Sequence, residues 1–316
     1  MKIVYLDQNK WIDLARAYHG RTTDRGYKAV LDFAISEVQK GTVVFPLSAI
    51  HYMEIARIRD AKRRARLGTI MWEISAGNTI ASYHAILVHE LETALSRRFP
   101  HVRRRPFKLL SRGVAHAFGM DRPDYEIPKP YRQQLPPEMV QGFERGAQAM
   151  MEKSALTGSG PGGVTMSPFG VTPQNHAFKQ HLETLYSDIT KLPREQWDDA
   201  LVAISLLDIQ GPLGEVLTNH GLTLAELTRG GKEALRSLAE DLPSRRADLQ
   251  LHRQVLKNPT LKPKITDLED WAGLGPATAY SDVVCCEKHF ANLLLRDGFQ
   301  PAATIITDIR GLPESL

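Results

Sequence analysis

Ile3-Val4-Tyr5-Leu6-Asp7-Gln8-Asn9 runs from β-branched and aromatic residues into a carboxylate, and Trp11-Ile12-Asp13-Leu14-Ala15 follows at helical spacing. The first pattern suits a buried strand and the second an amphipathic helix. A strand that passes straight into a helix opens an α/β unit. Open α/β sheets hold their ligands outside the carboxyl ends of their strands, so Asp7 is a candidate site residue. The alternative role for Asp7 is to cap the helix, because Asp readily accepts hydrogen bonds from a first helical turn.

Outward from this stretch, a helix is expected from Thr23 to Lys40, ended by Gly41. Thr42-Val43-Val44-Phe45-Pro46-Leu47 reads as a second strand, and Ser48 through Arg59 returns to helical periodicity. The order strand, helix, strand, helix implies parallel strands with crossover connections. From Lys62 to Leu251 the pattern is helical, strongest at Thr69 to Leu95, Pro136 to Ala155, Thr172 to Leu185 and Trp197 to Leu207, with no strand expected. Thr157-Gly158-Ser159-Gly160-Pro161-Gly162-Gly163-Val164 reads as a mobile loop; it lacks the preceding strand and the Lys-Ser/Thr ending of a phosphate-binding P-loop. Strands resume late. Asp267 to Ala277 is expected as a helix interrupted around Gly275-Pro276, followed by a strand over Asp282 to Glu287, a helix over His289 to Leu295 and a last strand over Ala303 to Thr307. The expected fold is α/β: a parallel sheet built from residues 1–61 and 262–316, with a large α-helical insertion over 62–261.

At 316 residues, 42% hydrophobic and 24% charged, the chain has the make-up of a globular protein. The net charge of +4 sets no global field, so local clusters matter more. Basic residues gather at Lys62-Arg63-Arg64-Ala65-Arg66, from Arg97-Arg98 through Arg103-Arg104-Arg105 to Lys108, and from Arg245-Arg246 to Lys264. Each run is either a phosphate-tracking surface or a solvated helix face. Cys285 and Cys286 are adjacent in a strand and point to opposite faces, which disfavours a bond between them and offers no zinc spacing. A reducing cytoplasm is the expected setting. No apolar leader precedes the first strand and no apolar run reaches membrane-spanning length, so secretion and membrane insertion are not expected.

Five carboxylates converge in this scheme. Asp7 and Glu287 end strands, Asp267 and Asp270 begin the helix that leads into the Asp282 strand, and Glu54 lies in the second turn of the helix after Leu47. All belong on the carboxyl side of a parallel sheet. Like charges so crowded oppose folding unless a cation neutralises them, and ligation by oxygen alone favours Mg²⁺ or Mn²⁺ over zinc. Asp282 starts its strand, roughly 16 Å from that edge at the rise of a β-strand, and is expected to be structural. Thr266 and Glu269 form a capping box, which leaves Asp267 and Asp270 as alternatives for the helical ligand. Ser48 and Asn9 are either supports of the site or turn residues; Lys10 is either a phosphate contact or a solvated lysine.

Tyr5-Leu6-Asp7-Gln8-Asn9, Val44-Phe45-Pro46-Leu47-Ser48 with Glu54, Asp267-Leu268-Glu269-Asp270 and Val283-Val284-Cys285-Cys286-Glu287-Lys288-His289-Phe290 together resemble the acidic skeleton of PIN-domain nucleases, with Glu287 where that family usually has Asp. The resemblance covers about the first sixty and last fifty residues. It implies metal ligands at Asp7, Glu54, Asp267 or Asp270, and Glu287, and a metal-dependent nuclease whose substrate is RNA. A catalytically inactive, nucleic-acid-binding or regulatory protein on the same fold is the alternative, and a homodimer or a regulatory protein partner is compatible with either. The eleven histidines are scattered, with no His-Glu-x-x-His pattern, and no Rossmann glycine fingerprint follows Leu6.

Overall fold

The computed structural model describes residues 1–121, 127–159, 173–258, 260–261, 264 and 267–316. Its elements are, in order, β1 (Lys2–Leu6), α1 (Gln8–Tyr18), α2 (Arg25–Lys40), β2 (Val43–Val44), α3 (Ala49–Ala56), α4 (Ala61–Ser75), β3 (Asn78–Ile80), α5 (Tyr83–Arg98), β4 (Leu110–Arg112), α6 (Val114–Phe118), α7 (Lys129–Arg132) and α8 (Pro137–Thr157). After these come α9 (Pro173–Ile189), α10 (Trp197–Asp208), α11 (Gln210–Asn219), α12 (Leu224–Thr228), α13 (Gly231–Glu240), α14 (Pro243–Lys257), α15 (Asp267–Tyr280), β5 (Val283–Cys285), α16 (Lys288–Leu294) and β6 (Thr304–Ile306). The class is α/β and mostly helical. The larger sheet has the strand order β2-β1-β5-β6. Among the described residues no single helix is long and apolar enough to cross a membrane.

The chain divides into two compact units. One comprises Met1–Lys2, Gln8–Ser82 and Leu110–Gly170; the other comprises Ile3–Asp7, Tyr83–Leu109 and Val171–Leu316.

In the first unit α1 packs on α2 and α4, and α4 packs on α8. Trp11 and Leu14 of α1, Ala34 of α2 and Ile70, Met71 and Ile74 of α4 are buried, which is the apolar stripe that an amphipathic helix turns to its neighbours. Asp24 caps α2 by accepting from the Gly26 N–H at 2.8 Å, and Gly41 closes the helix in a left-handed conformation at φ 68°. Gly68 permits the close approach of α4 and α8: a Cβ there would stand 2.6 Å from the Leu156 carbonyl carbon. The expected second strand contracts to Val43–Val44. Pro46 has no N–H to continue a ladder, although Leu47 still bridges Thr79 in parallel.

Two expectations fail in this unit. The segment expected to be helical from Thr69 to Leu95 breaks at Ala76 and Gly77, both in left-handed backbone conformations. It then forms β3, which pairs antiparallel with β4. Strands of three residues are too short to show alternation, so neither is visible in the pattern. The glycine-rich stretch lies outside the described residues from residue 160 onward; before it, Gly158 caps α8 at φ 74°.

In the second unit β1, β5 and β6 run parallel, with Leu6 opposite Cys285 and Cys285 opposite Ile306. Leu6, Val283, Val284 and Cys285 are buried, which explains why the sequence here is continuously apolar rather than alternating. Both cysteines are free and buried. A helical layer surrounds a core drawn from α5 (Leu91, Leu95), α11 (Val216) and α14 (Leu249). α15 continues through Pro276 to Tyr280 instead of breaking. It is buried almost all round from Gly273 to Thr278, and that packing outweighs the backbone bond Pro276 cannot make.

Candidate functional site

The second unit holds four of the five expected acids. β1 and β5 leave the sheet in step, because the Asp7 N–H donates to the Cys285 carbonyl at 2.9 Å and the Cys286 N–H to the Ile306 carbonyl at 3.1 Å. Asp7, half-buried, and Glu287, exposed, therefore stand at the same carboxyl edge. Glu287 occupies the N-cap position of α16 but makes no side-chain cap hydrogen bond there. α15 packs on β5 and is separated from it only by Ser281 and Asp282, so its amino end points back toward that edge. Asp270 is half-buried in its first turns. Asp267 opens the helix, and its side chain lies outside the described residues, as does Thr266 of the expected capping box.

Asp282 is at the opposite end of the strand, as expected. Its carboxylate accepts from the Ile3 N–H at 2.8 Å, and its own N–H donates to the Ile3 carbonyl at 2.8 Å, so it fixes the start of β1 against β5. Glu54 is in α3 of the first unit, half-buried. Ser48, at the head of that helix, pairs with buried His51: the Ser48 N–H donates to His51 Nδ1 at 2.9 Å in a capping box. Among the described residues, no group of three or more His, Cys, Asp or Glu is spaced to hold a metal ion. Asp7, Asp270 and Glu287 are all carboxylates, the donor type that suits a hard divalent cation.

Two further acids were not assigned to the site from the sequence. Glu269, assigned there to capping, is only 2% exposed, because α15 is enclosed and even its polar positions are covered. Asp308 follows β6 and accepts from the Arg310 N–H at 2.9 Å and from its guanidinium. An acid just beyond the last expected strand was the available signal.

The basic runs divide by their partners. Arg105, read from the sequence as either a phosphate contact or a solvated arginine, is exposed and donates through Nε to the 1%-exposed Glu92 at 2.6 Å and reaches Glu215 at 3.0 Å. Phe107 stacks on His89 with ring centroids 4.2 Å apart, and Phe99 packs against the core, so neither is presented for base stacking. Arg103 and Arg104 are exposed. Arg245, in the third basic run, is 5% exposed and bonds Asp248 at 2.8 Å, Tyr83 Oη at 3.0 Å and Ser205 Oγ at 3.1 Å. Burial opposes its charge, but Asp248, Tyr83 and Asp208 outweigh burial and raise its pKa. It borders a cavity of about 210 Å³ with His252 and Trp271. Burial lowers the His252 pKa, and burial pushes the Tyr83 hydroxyl up to about 12.

No family model, curated protein or solved structure matches this chain. Function must therefore be argued from the site itself.

Proposed function

We propose that the chain is a metal-dependent phosphodiesterase of the PIN-like kind, acting on RNA. The observation that supports it best is the placement of Asp7 and Glu287: Asp7 directly follows β1 and Glu287 follows β5 after Cys286, so both carboxylates stand at the carboxyl end of adjacent parallel strands, where such sheets bind ligands. Asp270 or Asp267 of α15 supplies a third carboxylate; Glu54 enters on the order of acids in the sequence alone. Mg²⁺ or Mn²⁺ held there would neutralise the acids and supply a more acidic water for in-line attack on a phosphodiester. The carboxylates act as ligands and orient the attacking water, so none has to serve as general base. RNA rather than DNA rests on the family resemblance.

The test is calorimetric titration with Mn²⁺ of the parent and of Asp7→Asn, beside cleavage of a labelled RNA with and without Mn²⁺. Saturable Mn²⁺ binding and cleavage that are both lost in Asp7→Asn are expected. A parent that neither binds Mn²⁺ nor cleaves overturns the proposal, and RNA binding without cleavage favours the inactive, binding-only alternative.

A further inference from the structure

The first basic run, Lys62-Arg63-Arg64-Ala65-Arg66, is split by the geometry of α4. Arg64 turns inward, where its guanidinium donates to the Leu156 carbonyl at 3.3 Å and the Ala155 carbonyl at 3.1 Å on α8. Arg63, Arg66 and Leu67 share a neighbouring face of the helix. That face meets Ile12, Ala15 and Arg16 of α1 and His19 just after it, which recur at helical spacing. Gly20, at φ 63°, turns the chain after α1 so that the Arg21 N–H donates to the Arg16 carbonyl at 2.7 Å, and Arg21 becomes a further wall. The result is a pocket of about 240 Å³ with four guanidinium groups and one imidazole around an apolar floor of Ile12, Ala15 and Leu67.

Its charges are not internally balanced. Arg16 pairs with Asp13 at 3.3 Å while remaining 60% exposed. Asp60 accepts from the Arg63 backbone N–H at 2.9 Å and senses the charge of Arg66. Neither acid lines the pocket, and Asp60 also senses Lys62, so the lining itself carries four arginines and no carboxylate. His19 Nε2 is engaged with the Arg66 carbonyl at 3.3 Å, which holds α1 and α4 together at the mouth. Gathering like charges in a concavity opposes folding, and a dianion placed among them removes that cost.

We propose that this pocket binds a phosphate monoester. Guanidinium forks match phosphate oxygens in pairs, and a monoester dianion brings more negative charge to one phosphate than a diester does. The pocket has room for more than the phosphate, and its apolar floor suits the carbon skeleton of the ester. A nucleic-acid backbone, with one charge per phosphate, is tracked by strips of basic residues rather than by one local pocket. The site does not rest on the nuclease reading.

Calorimetric titration at low salt with ribose 5-phosphate and with ribose tests it. Ribose 5-phosphate should bind and ribose should not. Arg63→Gln and Arg66→Gln should each weaken binding by about tenfold, the change expected for one charge-assisted contact. Arg21→Gln, in an exposed turn that does not hold the helices together, should do the same without moving the melting temperature. A 5′-phosphorylated dinucleotide that binds more tightly than ribose 5-phosphate, when its 5′-hydroxyl form does not, identifies a nucleic-acid end as the source; equal affinity identifies a small ester. No binding of either phosphate ester at about 1 mM overturns the proposal, as does unchanged affinity in Arg21→Gln together with either α4 variant.

Discussion

The Asp7 backbone N–H donates to the Cys285 carbonyl at 2.9 Å, and this bond sets Asp7 level with Cys286, one residue before Glu287. Residues separated by nearly the whole chain thereby share an edge. If that edge holds a metal, Asp7→Asn and Glu287→Gln should each reduce Mn²⁺-stimulated RNA cleavage by more than about 100-fold, beyond the effect usual for residues that merely support a ligand. Circular dichroism of the variants should match the parent. Glu54→Gln applies the same assay to the acid linked to the others by sequence order. Full activity in Asp7→Asn would remove the site.

Without metal, Asp7→Asn should melt no lower than the parent in chelator, because it relieves repulsion among carboxylates. A clear fall in melting temperature would mean that Asp7 holds the fold together.

Asp282 works at the other end of the same strands. Asp282→Ala leaves the Ile3 N–H without its side-chain acceptor and should cost about 1–3 kcal/mol. Urea denaturation measures this, and Mn²⁺ affinity should not change.

Arg105 and its two neighbours should separate in experiment. Arg105→Ala removes the guanidinium from buried Glu92, although the backbone N–H that donates to Glu92 at 2.7 Å survives, so a loss of about 1–2 kcal/mol is expected. Arg103→Ala with Arg104→Ala, both exposed, should leave stability within about 0.5 kcal/mol of the parent. If these two contact phosphates, the double variant should lower the salt slope of RNA binding by about two. An unchanged slope would confine them to solvent.

Glu90 should give the protein a pH-dependent stability. Burial pushes its carboxyl up to about 7, against the hydrogen bonds from Ser244 and Tyr280 and the charge of Arg245. A carboxyl raised in the folded state favours folding while it stays protonated, and this contribution is lost as pH rises from its ordinary value of 4.5 through about 7. Glu90→Gln should remove that dependence and, at pH 8, stabilise the fold by at most about 3 kcal/mol. Denaturation at pH 5 and pH 8 tests the sign: a variant that loses more stability at pH 8 than at pH 5 contradicts it.

The sequence by itself determined the strands of the larger sheet and their direction. Ile3 to Leu6 and Val283 to Cys285 are apolar because inner parallel strands are covered on both faces, Thr304 to Ile306 is β-branched at the half-covered edge, and Gly41 marks a helix end because its backbone must turn left-handed there. Asp7, Glu287 and Asp282 could be assigned to opposite ends of their strands for the same local reason. Tertiary structure alone decided the rest. The three-residue strands β3 and β4 depend on pairing with each other and, for β3, with Leu47, and they carry too short a pattern to be read. Arg64 and Arg66 look alike in the sequence, yet the 100° turn per helical residue sends one to the carbonyls of α8 and the other to an open pocket. The partners of Arg105 lie 13 and 110 residues away, so no local rule reveals that its charge is already taken. Burial of Glu269 likewise depends on how completely other elements enclose α15. Local patterning sets the elements and the ends at which acids emerge, whereas the role of each charge depends on which distant groups packing brings within a few ångströms of it.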